Sequence, residues 1–130
     1  MIKGIEKILL KEKLDYTLVY RNTNSTLAGA HASKKLHIPA IHIEAGLRSY
    51  NKKMLEEISR VLSDHCSNIL FILSKLARQN LKHEGIQQNS IIQVGYIMHD
   101  IFLSVYKNVK KYINYKRSNT KPYSGEKADN

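Results

Sequence analysis

The sequence has a single cysteine, Cys66, so no disulfide can form within the chain. It contains no apolar run approaching the roughly 20 residues that a membrane-spanning helix requires. Residues 1–13 interleave Lys and Glu with Ile and Leu, the mark of an amphipathic helix rather than a secretory signal. Together these features favour a cytoplasmic protein with no membrane partner. Neither G-x-G-x-x-G nor a Walker A stretch occurs, which leaves a nicotinamide enzyme or a P-loop ATPase without support. His31, His37, His65, His83 and His99 keep no metal-ligand spacing with Cys66 or with a second histidine, so no metal is expected, and no other cofactor is implied. The tyrosines are scattered and build no platform for stacking bases.

Acidic residues are scarce, 11 Asp and Glu against 21 Lys and Arg, for a formal charge of +10. Residues 105–130 hold seven of the Lys and Arg and two of the acids, so half of the excess sits in a polar tail. Solubility or a phosphorylated ligand accounts for this charge as well as nucleic acid does. No RNA- or DNA-binding motif accompanies it, and no nucleic-acid partner is expected. The hydrophobic content of 42% and the length of 130 residues fit one packed domain.

Ile2, Ile5, Ile8 and Leu9 keep helical spacing. Residues 16–20 form a short run of β-formers and predict a buried strand. Residues 23–36 predict a helix whose Asn-, Ser- and Thr-rich start caps free N–H groups. A strand follows over 40–43, a loop over 46–53, and a helix over 56–64 with Glu in its opening turn. The next strand is 68–72. Ser74 then caps a helix that Gly85 ends, before a strand over 91–94 and a helix over 100–113. The polar stretch from Lys116, with Pro122 and Gly125, reads as disordered. The expected organisation is a domain over 1–113 and a basic tail over 114–130. Alternating helices and strands, with the strands apolar on both faces, predict a Rossmann-like parallel sheet flanked by helices on each side.

In open parallel sheets ligands bind beyond the carboxyl ends of the strands. Three polar groups fall on that rim: Asn22 to Ser25, Glu44 to Arg48, and Glu56-Glu57 with Arg60 one turn on. Carboxylates gathered there with arginines suit proton transfer on an anionic substrate. Plainer readings stand beside this one. Asn22 to Ser25 serves equally as a helix cap, and Glu56 and Glu57 as a solvated helix start, with Arg60 pairing to Glu56 at i,i+4. Glu44, placed directly after a buried strand, must be paired or poised at a cleft. His42 reads as a hydrogen-bonded core histidine and Cys66 as a small buried hydrophobe.

At these positions the sequence resembles the non-hydrolysing UDP-N-acetylglucosamine 2-epimerases. Residues 23–30, TNSTLAGA, are similar to one of that family's stretches, and 42–49, HIEAGLRS, to its H-[VI]-E-A-G-L-R-[ST] signature. Glu56-Glu57-Ile58-Ser59-Arg60 with Asp64-His65 resembles its P-E-E-x-N-R…D-H segment. Residues 74–85 resemble its S-x-x-A-x-x-N-L-x-x-E-G helix, and Gly95 and Asp100 its G-N-x-x-x-D element. The resemblance implies the N-terminal part of a GT-B-type fold of two Rossmann-like domains with the active site between them. It implies conversion of UDP-GlcNAc to UDP-ManNAc, a precursor of cell-surface polysaccharide, by elimination and re-addition of UDP. Glu44 and Glu56 match catalytic carboxylates, while Arg60, Gly46 and Arg48 match substrate-binding positions. A UDP-sugar substrate and a homodimer are the implied partners.

The departures bear on activity. The family's Gly-Asp before Thr23 is Arg21-Asn22 here, so Asn22 stands at the third catalytic carboxylate and cannot take or release a proton near neutral pH. Leu55, Leu14 and Leu73 occupy usual proline positions, and Ser59 and Tyr96 replace Asn. The family's first strands would precede Met1 and its second domain would follow the tail. The chain alone is therefore expected to be inactive, needing a C-terminal domain or complementary chain, or to be a non-catalytic UDP-sugar-binding or oligomerising remnant. The same placement leaves strand 16–20 as an unprotected sheet edge.

Overall fold

The computed structural model describes residues 1–96, 99–106 and 109–111. They fall into two units, Met1–Gly95 and Tyr96–Asn130. In the second, residues 99–106 and 109–111 are helical, and the Phe102 and Tyr106 rings stack with centroids 5.8 Å apart. The end of the helix expected over 100–113, the boundary between 113 and 114, and the basic tail lie outside the described residues.

The first unit runs α1 (Ile2–Glu12), β1 (Thr17–Tyr20), α2 (Asn24–Lys35), β2 (Ala40–Ala45), α3 (Leu55–Cys66), β3 (Ile69–Ile72), α4 (Lys75–His83) and β4 (Ile91–Gln93), with a 3₁₀ turn, Gln88–Ser90, before the last strand. Local chemistry sets several of these ends. The Thr23 hydroxyl caps α2 by accepting the Thr26 amide at 3.3 Å, and Ser74 caps α4 by accepting the Ala77 amide at 3.2 Å. Gly85, at φ +80°, ends α4 in a Schellman turn: its amide bonds the Lys82 carbonyl, and the Ile86 amide bonds that of Leu81. Among the described residues no helix is long and apolar enough to cross a membrane.

The four strands are parallel and lie in the order β1-β2-β3-β4. Register aligns Val19, His42, Leu70 and Ile91 in one row, and all four are buried. Ala77 and Leu81 of α4 pack on this face over Leu70, Ile72 and Ile91. Helix α2 touches β1, β2, α1 and α3. Its buried residues are correspondingly small, and a Cβ on Gly29 would lie 3.1 Å from Val19 Cγ1.

Among the described residues of the first unit, the opposite face differs from the expectation of helices on both sides. Leu18, Ile41 and Ile69 form one row there, and Tyr20, Ile43, Phe71 and Ile92 a second. All seven are half-buried or exposed, and Leu18 reaches 63%. The cause is topological. Right-handed crossovers that always step the same way along a sheet place every connecting helix on the same face. Helices reach the second face only where the stepping direction reverses, and β1 to β4 contain no reversal. In this sheet β1 is an edge strand, as expected.

Candidate functional site

The rim at the carboxyl ends of β1 and β2 is built by two residues in left-handed backbone. Arg21 has φ +65° and Glu44 φ +67°, a region where non-glycine residues are uncommon. Glu44 is a bulge residue. Ile43 pairs with Phe71 and Ala45 with Ile72, leaving Glu44 as the extra residue between them. A bulge re-aims its side chain, and β2 therefore continues past Glu44 instead of stopping before it. The Tyr20 hydroxyl donates to Glu44 Oε1 at 2.8 Å, and Arg21 Nε lies 3.5 Å from Oε2. The carboxylate is 10% exposed. Holding the Tyr20 proton against it raises the phenol's pKa, with partial burial adding to the shift.

Arg21, Asn22, Glu44, Leu47 and Arg60 line a cavity of about 130 Å³. A second cavity, of about 260 Å³, is lined by Asn22, Thr23, Asn24, Leu55, Glu56 and Ser59. Asn22 lines both, so Glu44 and Glu56 border hollows that share this residue. Thr23 caps α2 and lines the second hollow as well, so capping and rim positions coincide.

The other carboxylate of α3 has a different task. Glu57 is buried and accepts the amides of Ser49 and Tyr50 at 3.1 and 2.9 Å and Arg60 Nη1 at 2.7 Å. Arg60 thus pairs at i,i+3 with Glu57, not at i,i+4 with Glu56; it stays 16% exposed at the first cavity. Burial pushes the Glu57 pKa up, but the two amides and Arg60 outweigh it and hold the carboxyl below its ordinary 4.5. A folded value below the unfolded one gives stability that is present above the unfolded value and lost as pH falls through the folded one. Urea midpoints should therefore drop on acidification below that ordinary value, and Glu57→Gln should flatten that part of the drop while lowering the midpoint at neutral pH.

Gly46 and Arg48 are not brought to either cavity. The Arg48 side chain is 1% exposed. Its Nη1 bonds Asp64 Oδ2 at 2.7 Å, and its Nε and Nη2 fork onto Glu84 at 2.6 and 2.7 Å. Burial works against the charged guanidinium, yet the two carboxylates raise its pKa overall; Arg48 in turn holds Glu84 below the usual carboxylate range. Both charges are committed to the interior, so this arginine fixes the loop after β2. Gly46 donates its amide to Asp64 Oδ2 at 3.0 Å and accepts Asn80 Nδ2 at 2.9 Å. At φ +78°, a Cβ there would lie 2.7 Å from the Ala77 carbonyl oxygen. Gly46→Ala should cost about 2–4 kcal/mol, combining left-handed strain with overpacking, as a fall in the urea midpoint.

His42 is a hydrogen-bonded core histidine, as its place inside a strand suggests. Its Nδ1 lies 2.6 Å from Asp64 Oδ1 and its Nε2 2.7 Å from the Arg21 carbonyl. Cys66 is half-buried, and burial raises its thiol pKa. Sequence reasoning missed Tyr20 as Glu44's partner. Tyr20 stands abreast of Ile43, one residue before Glu44, but that register is not legible without the sheet.

Comparison with known proteins gives a consistent set of likenesses. A family model described as UDP-N-acetylglucosamine 2-epimerase matches residues 1–127. A Methanococcus maripaludis protein named UDP-N-acetylglucosamine 2-epimerase homolog is 56% identical over 111 residues, covering 85% of this chain and 31% of the relative. The UDP-2,3-diacetamido-2,3-dideoxy-D-glucuronate 2-epimerase of Pseudomonas aeruginosa is 53% identical over 102 residues, covering 77% and 29%. The crystal structure of Methanocaldococcus jannaschii UDP-GlcNAc 2-epimerase in complex with UDP-GlcNAc and UDP superposes with a TM-score of 0.78 at 45% identity, covering 88% of this chain and 33% of that one. The chain thus spans about a third of the length of the relatives it matches.

Proposed function

Because the chain belongs to the UDP-N-acetylglucosamine 2-epimerase family, we propose that it supplies one wall of an active site that interconverts UDP-GlcNAc and UDP-ManNAc in the cytoplasm. A carboxylate takes the C2 proton of the sugar while the C1–O bond to UDP breaks, leaving a 2-acetamidoglucal. UDP then re-forms its bond at C1, and a proton is delivered to the opposite face of C2. Glu44 and Glu56 are the groups assigned to these proton transfers. The observation that carries this reading is their placement in adjoining hollows that meet at Asn22. Two carboxylates in hollows that share a wall suit removal of a proton by one group and delivery by another. Arg60 stands at the first hollow to meet phosphate charge.

The second wall, with the uridine and diphosphate contacts, is assigned to a C-terminal domain or complementary chain. The chain alone is proposed to be incompetent, since a site between two domains is not assembled from one. The test is an assay for UDP-ManNAc from UDP-GlcNAc, run with the chain alone and with a supplied second domain. Turnover is expected only in the second case; turnover by the unaided chain would overturn this view, and release of free ManNAc with UDP would indicate a hydrolysing relative. A second reading, a UDP-sugar-binding remnant, is favoured by Asn22 at the third carboxylate's place and by the Arg21 contact to Glu44. Binding without turnover, even with the second domain present, would support it.

A further inference from the structure

The proposed chemistry leaves one buried titratable group without a task. The His42 side chain is 0% exposed, and both ring nitrogens face oxygens. The Arg21 carbonyl only accepts, so Nε2 carries a hydrogen. Asp64 Oδ2 already takes the Gly46 amide and the Arg48 guanidinium. A carboxyl group receiving a cation and an amide on one oxygen is ionised, and its Oδ1 is then an acceptor too. The ring must donate from Nδ1 as well.

The ring ends a chain of contacts: Asp64 of α3 faces it, Arg48 stands behind Asp64, and Glu84, a quarter exposed, stands behind Arg48. His65, which meets Glu84 at 3.0 Å, is partly exposed and lies at the solvent end of the chain of contacts.

The far end of the ring reaches the rim. The turn after β1 is pinned at three backbone atoms: the Tyr20 carbonyl accepts the Thr26 hydroxyl, the Arg21 amide bonds the Ile43 carbonyl, and the Arg21 carbonyl accepts His42 Nε2. Arg21 would not keep left-handed backbone unaided. We infer that His42 is a doubly protonated positioning residue, whose charge-assisted bond to the Arg21 carbonyl holds the Arg21–Asn22 turn beside Glu44. The value of that turn to catalysis rests on the function proposed above; the ring's protonation and its bond do not.

The test is a long-range proton–nitrogen correlation spectrum, with a hydrogen-bond carbon–nitrogen correlation, of the ¹³C- and ¹⁵N-labelled chain at neutral pH. Both His42 ring nitrogens should appear protonated, with protons shielded from exchange, and Nε2 should couple across its hydrogen bond to the Arg21 carbonyl carbon. One unprotonated nitrogen, or no coupling, overturns the inference without any substitution. Two variants add an independent readout. His42→Gln puts an amide donor at the Nε2 position and should leave the Arg21 and Asn22 amide resonances in place. His42→Asn puts the donor at the Nδ1 position and should shift them while leaving Gly46 in place. Equal disturbance of the turn by both folded variants would show that the bond to Arg21 does not position it. A doubly protonated ring beside an inactive, completed enzyme would sink the proposed function alone; a singly protonated ring beside normal turnover would sink only this inference.

Discussion

Arg48→Ala should destabilise the fold by about 3–5 kcal/mol, the loss typical of removing one partner from a buried ion pair. The argument rests on what remains. Without the guanidinium, Asp64 keeps His42 and the Gly46 amide, but Glu84 loses both arms of its fork and retains only His65. The loop after β2 would also lose the side chain that ties it to α3 and to the residue following α4. A domain of this size typically holds about 5–15 kcal/mol, so the variant would sit close to the edge of folding. Arg48→Lys should fall between the two, because an ammonium keeps the charge but cannot make the planar two-point contact with Glu84. Urea denaturation of the three proteins measures the series. A loss below about 1 kcal/mol for Arg48→Ala, the range of exposed pairs, would mean that the network carries little of the fold.

Asn22→Asp should raise epimerisation by about 10² to 10⁴, the contribution of one positioned acid or base, when the chain is assayed with a second domain. Asn22 lines both hollows, so a carboxylate there could exchange protons with a substrate held against Glu44 or Glu56. The neighbouring residue should modulate the gain. Arg21 occupies backbone that glycine adopts without strain, and its side chain lies against Glu44. Arg21→Gly removes that contact, and the double variant should exceed Asn22→Asp. Glu44→Gln and Glu56→Gln should each lower any turnover by a similar factor. A rate unchanged by Asn22→Asp would remove position 22 from the chemistry and strengthen the reading of a binding remnant.

Much of this architecture follows from short-range rules and could be read from the chain. Thr23, Ser74 and Gly85 mark helix ends by their own hydrogen bonding and backbone preferences. The short runs of β-branched and aromatic residues in β1 to β4 mark strands by their fit to a pleated, half-buried surface. What stayed hidden depends on long-range register or on direction. The extra residue at Glu44 is visible only against Phe71 and Ile72 on the neighbouring strand. Glu56 and Glu57 are adjacent letters, yet one lines a hollow while the other is consumed by the amides of Ser49 and Tyr50. Arg48 looked equally available to a ligand, but its partners come from α3 and from beyond α4, too far along the chain for spacing to reveal. The one-sided placement of the helices likewise required the strand order.

That strand order has a geometric corollary. A parallel strand laid against the edge of β1, and joined by right-handed connections that travel away from β4, would carry its helix onto the side of the sheet opposite α2, α3 and α4. Winding would then diverge from β1 in two directions, and the gap between diverging connections is where sheets of this kind leave a crevice for a nucleotide. The crevice would open directly above Tyr20, Arg21 and Asn22. The seam where the sheet accepts new strands and the mouth of the proposed site are then one and the same place.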